Sequence, residues 1–109
     1  MKSIPERDWK RIRDLKDELL NVACEQIFQR IEKLSADRAG QQHKSYLELY
    51  NLIKKEDKAI ADMFDGLSRS SAYFKIAALK HNGILTDAQM ELFSAETKAV
   101  VEDLCQFKR

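Results

Sequence analysis

The residues of this chain that could do chemistry are few and scattered. Catalysis needs a nucleophile, a base and an electrophilic group that converge. The two histidines, His43 and His81, stand in predicted turns, and neither belongs to a Glu-x-x-His or His-x-x-x-His pair that would set two metal ligands on one helix face. His81 falls at a predicted helix end, where a protonated imidazole suits the helix dipole. Cys24 and Cys105, 81 positions apart, lack the close pairing of a zinc knuckle or a redox dithiol and read as small core residues. Glu56 and Asp57 occupy a gap in an apolar stripe between Ile53 and Ile60. A carboxylate turned into a helix seam there either reaches water or an Arg on a neighbouring helix, or acts as an acid or ligand; unpaired and buried it could not stay ionised.

Charged clusters offer a second chemistry. Arg7, Lys10, Arg11, Arg13 and Lys16 could meet phosphates, but Glu6, Asp8, Asp14, Asp17 and Glu18 are interleaved with them. Glu6 to Lys10 and Arg13 to Asp17 fall at i,i+4, the spacing of weak pairs on a solvated helix face. Arg69 among Ser68, Ser70 and Ser71 could hold a phosphate at a helix N-terminus, or the serines could serve as ordinary caps. With 19 Lys and Arg against 18 Asp and Glu, the net charge of +1 gives no general attraction to nucleic acid.

These side chains would be positioned by helices. Apolar residues at 44% and charged residues at 34%, with three Gly and one Pro, describe a helix-rich chain, and 109 residues suffice for one domain, residues 1–109, that folds without metal, disulfide or cofactor. The longest run without a charged side chain is six residues, far below the ~20 a membrane span needs. Met1 to Pro5 carry no apolar signal core, which places the chain in the cytoplasm.

Ser3-Ile4-Pro5-Glu6 has the pattern of a capping box, and no Gly or Pro then intervenes before Gly40, so one helix is expected from Ser3 to about Asp37. Its stripe is Trp9, Ile12, Leu15, Leu19, Ala23, Ile27, Ile31 and Leu34. Ser45-Tyr46-Leu47-Glu48 repeats the pattern and predicts a second helix from Ser45 to Asp65, with Tyr46, Leu49, Tyr50, Ile53, Ile60, Met63 and Phe64 on one side. Gly66 either ends it, with Ser68–Ser71 capping a third helix, or lies inside one bent rod. Asn82-Gly83 ends a helix, and Thr86-Asp87-Ala88-Gln89 opens a fourth whose seam is Met90, Phe93, Thr97, Val100, Leu104 and Phe107. The expected fold is all-α: a small antiparallel bundle of three to four helices with one long N-terminal helix.

The phrases Glu6-Arg7-Asp8-Trp9-Lys10, Tyr46-Leu47-Glu48-Leu49-Tyr50, Gly83-Ile84-Leu85-Thr86-Asp87 and Phe93-Ser94-Ala95-Glu96-Thr97 resemble a family of short all-helical bacterial proteins with no assigned activity. The Gly83 phrase with the helix after it is also similar to the hairpin of short bacterial C-terminal oligomerisation domains, which implies assembly.

Length carries the functional expectation. A first helix of roughly 50 Å overhangs later helices of about 30 Å, exposing either Trp9, Ile12, Leu15 and Leu19 or Ile27, Ile31 and Leu34. Such a stripe calls for a partner helix, most simply from a second copy. The chain is therefore expected to be a non-enzymatic, homodimeric interaction module with a further protein partner. Two other readings compete: a dimeric nucleic-acid-associated regulator using Arg7, Lys10, Arg11, Arg13 and Lys16, and an enzyme or metal site around Glu56 and Asp57. If the second and third helices form one rod that covers the first, the chain is a monomer.

Overall fold

The computed structural model describes residues 3–107; Met1 and Lys2, part of the signal reading, lie outside the described residues, as does the side chain of the seam residue Phe107. Among the described residues there are five helices and no strand: α1 (Glu6–Ala36), α2 (Gln42–Phe64), α3 (Ala72–His81), α4 (Asp87–Met90) and α5 (Ala95–Phe107). The molecule measures 54 × 23 × 22 Å, so its length is that of α1, whose 31 residues span about 46 Å at ~1.5 Å per residue. α1 packs chiefly on α2, and α3 chiefly on α5.

Helix starts depart from the expected caps where tertiary contacts intervene. Ser3 makes no capping box: Pro5 is the N-cap residue, without a side-chain cap, because Ile4 is drawn into the core and its carbonyl accepts from Arg69. Nor does Ser45 cap α2, which begins three residues earlier at Gln42; Gly40, at a φ of +79°, reverses the chain, and Ser45 N–H already donates to Gln41 O. The Thr86 box forms as expected: Gln89 N–H donates to Thr86 Oγ1 and Thr86 N–H to Gln89 Oε1.

Two breaks set the topology. Gly66 and the Ser68–Ser71 turn separate α2 from α3, with Ser71 Oγ donating to Gly66 O at 2.8 Å, so the two do not form one rod. At Gly83, φ +72°, Ile84 N–H reaches back to Leu79 O and Gly83 N–H to Lys80 O, while Leu79 and Ile84 are both buried. That is a Schellman stop with its apolar contact. A third break was not expected: the fourth helix ends at Met90, and a new one starts at Ala95.

The core sits at one end. Ile4, Ile12, Leu19 and Ala23 meet Met63 and Phe64, six of the ten residues of α3, and Met90, Phe93 and Val101. α3 is apolar around most of its circumference, as a helix enclosed by neighbours must be. From Cys24 to Asp62, by contrast, only Ser45 is buried. The far halves of α1 and α2 thus project from this head as an antiparallel hairpin.

Candidate functional site

The candidate residues read from the sequence are not brought into one site. Arg7, Lys10 and Arg11 border a groove with Glu6 and Asp14, whereas Lys16 lies by Ile12, Phe64 and Leu67, and Arg13 stands 5.3 Å over the Trp9 ring. The basic positions are therefore divided between different sides of α1. Glu56 sits at the seam between α1 and α2, paired with Arg30 at 2.5 Å, and Asp57 is exposed. His43 and His81 are exposed on different helices, and no group of three or more His, Cys, Asp or Glu suited to a metal occurs among the described residues. Arg69 pairs with Glu6 at 2.6 Å, holding the Ser68–Ser71 turn to the start of α1.

One buried polar cluster went unread in the sequence. Asp8 is fully buried; it accepts from Ser94 N–H at 3.1 Å, from Ser94 Oγ at 2.5 Å and from Thr97 Oγ1 at 2.5 Å. Ser94 precedes α5 and receives Thr97 N–H at 3.4 Å, so Asp8 completes the cap of that helix from 86 residues away. Burial pushes the Asp8 carboxyl up, but the donors from Ser94 and Thr97, aided by Arg7, outweigh it and leave its pKa below the usual aspartate value. Asp8 stands four residues before Ile12 on the core stripe, and that position was its only signal. Tyr73 borders the cluster beside Thr97, and among the described residues its buried hydroxyl makes no hydrogen bond. Burial pushes that phenol up, Thr97 pulls it part of the way back, and Glu96 and Asp8 raise it again. With every polar atom of Asp8 engaged, the cluster is a clasp between α1 and α5.

The stripe expected to meet a partner divides in two. Ile12 and Leu19 are buried in the head at 1% and 0% exposure, and Trp9 and Leu15 pack against that core, so this half is spent within the chain. Ile27, Ile31 and Leu34 lie in the hairpin, half-buried.

The hairpin itself is two-faced. Its contact line runs through Ala23, Gln26, Arg30 and Leu34 on α1 and through Ser45, Leu49, Leu52, Glu56, Ala59 and Met63 on α2, most of them buried, half-buried or lining the crevice between the helices. One residue further along a helix turns about 100° off that line. In an antiparallel pair the same sense of turn leads to the same side on both helices. On that side stand Cys24, Ile27 and Ile31 with Tyr46, Tyr50, Ile53, Asp57 and Ile60; one residue back, on the opposite side, stand Val22, Glu25, Gln29 and Lys33 with Lys44, Glu48, Asn51, Lys55 and Lys58. Tyr46, Tyr50 and Ile53 are 59%, 55% and 48% exposed. Together they leave roughly 300 Å² of mostly apolar surface open, within the range of the largest patch on a monomer.

Among the described residues no helix is long and apolar enough to cross a membrane. Compared with family models, with curated proteins and with solved structures, the chain matches none.

Proposed function

We propose that this chain is a non-enzymatic helical interaction module whose head holds a hairpin out for docking. The observation that carries this reading is the contrast between the hairpin's two sides: aromatic and branched apolar residues on one, and on the other Lys, Glu, Gln and Asn, with Val22 at the end next to the head. Water solvates the second side as it stands, whereas the first is stabilised by roughly 25 cal/mol for every Å² removed from water. Tyrosines at 46 and 50 suit an interface, since each presents a rigid apolar body and a polar tip. Docked, the hairpin contributes two helices to a larger antiparallel bundle, the packing its length and stripe call for. The apolar row on α2 replaces the first-helix row as the principal contact, and Ile27 and Ile31 of α1 join it.

A photo-crosslinking side chain introduced at Tyr50, and separately at Lys55 on the opposite side, tests the reading in the cell that makes the protein. Adducts to protein form from position 50 and not from position 55. Equal yields from both positions, or none from 50, would remove the docking surface.

A further inference from the structure

Resting on that reading, we infer that the occupant of the hairpin's apolar side is a second copy of this chain, with α2 crossing its counterpart antiparallel about Ile53. The first reason is the order of the row. From the tip it reads Tyr46, Tyr50, Ile53, Asp57, Ile60, with Lys54 beside it and its ammonium 5.6 Å over the Tyr50 ring. A two-fold axis requires that if residue i meets j, j meets i. Centred on Ile53, the row satisfies this: Tyr46 falls against Ile60 of the other copy, and Asp57, the one charge within the row, falls against the Tyr50 hydroxyl and the Lys54 ammonium. Each half supplies the donors that the other half's carboxylate needs, so no charge is covered unpaired. A parallel arrangement would set Asp57 against Asp57 and Lys54 against Lys54.

The second reason is size. A stable interface takes about 800 Å² from each partner, of which a little under 60% is apolar, or roughly 450 Å². Tyr46, Tyr50 and Ile53 supply roughly 300 Å² of it, the half-buried Ile27, Ile31 and Ile60 on the same side add to it, and Lys54 and the residues beyond provide the polar rim. Four antiparallel helices result, two from each chain, and the heads lie at opposite ends.

Light scattering after size exclusion, over a wide concentration range, tests the pairing on wild type, Asp57→Lys, Lys54→Glu and the double exchange. Both side chains stand clear of the core, so each variant keeps the wild-type helical circular dichroism. The wild-type mass rises towards twice the chain's 12.7 kDa. Each single exchange sets like charges together and weakens association at least about fivefold, whereas the double exchange restores it to within about twofold of wild type. A mass of one chain at every concentration would overturn the inference, and so would a dimer that the double exchange does not rescue. A monomer that still gives Tyr50 adducts to another protein removes only the second copy; a monomer without adducts removes the docking surface as well.

Discussion

Asp8 and Thr97, 89 positions apart, share a 2.5 Å hydrogen bond in which the threonine hydroxyl donates to a fully buried carboxylate. With Ser94 donating from both its backbone and its side chain, this contact fastens the first turn of α1 to the first turn of α5. Charge-assisted hydrogen bonds are the stronger kind, and the partial positive charge at a helix N-terminus adds to them. Asp8→Ala therefore lowers unfolding free energy by about 2–4 kcal/mol, because two hydroxyls lose their acceptor inside the core. Denaturant titration measures it. Combined with Thr97→Val, the loss falls short of the sum of the two single losses, since both remove one network.

The same clasp gives the protein an acid limit. The pKa of Asp8 is lowered in the folded state, so its stabilising contribution is complete above the unfolded value of about 3.9 and is lost as pH falls below that, through the folded value. Denaturant melts at a series of pH values from about 5 to about 2 show wild type losing stability faster than Asp8→Asn over that window. Parallel curves would contradict the role given to Asp8.

Tyr73 makes the opposite prediction. Among the described residues its buried hydroxyl makes no hydrogen bond, so Tyr73→Phe is neutral or stabilising by up to about 1 kcal/mol. In an ultraviolet pH titration, the wild-type protein shows a phenol that ionises above the usual tyrosine range and that disappears in Tyr73→Phe. A clear destabilisation would mean that the hydroxyl has a partner.

Much of the architecture was legible in the sequence, and the misreadings share a cause. The all-helical class, the long first helix, the Asn82-Gly83 stop and the Thr86 box rest on local chemistry, which the surroundings left undisturbed. Ser3 and Ser45 carry the same local pattern as Thr86, yet neither caps a helix, because Ile4 is buried beside Ser3 and α2 starts at Gln42. The 3,4 spacing from Met90 to Leu104 concealed the break at Ser94. That spacing survives the break because Phe93 and Thr97 both remain buried, while Ser94, supported by Asp8, starts a new helix. Asp8 itself lay hidden among interleaved acids, since nothing within ten residues of it reveals a partner in α5. The hairpin's apolar side was half legible: both rows could be read, but which residues face the partner helix depends on the register that Arg30 and Glu56 mark.

The division into head and hairpin also sets the cost of substitutions. Leu19, fully buried, loses about 2–5 kcal/mol on truncation to Ala. Tyr50, 55% exposed, changes the stability of the single chain by no more than about 0.5 kcal/mol. Thermal melts at low concentration compare the two directly.

The most direct test of the account introduces a charge at the centre of the row, in Ile53→Glu, and reads thermal stability and solution mass on the same samples. Ile53 is 48% exposed in the single chain, so the variant should melt within about 3 °C of wild type at low concentration, a shift of less than about 0.5 kcal/mol. Its mass should stay at 12.7 kDa at concentrations where wild type approaches twice that value. A variant that unfolds would show that Ile53 belongs to the chain's own core, and a variant that associates like wild type would show that the hairpin's apolar side is not where this protein docks.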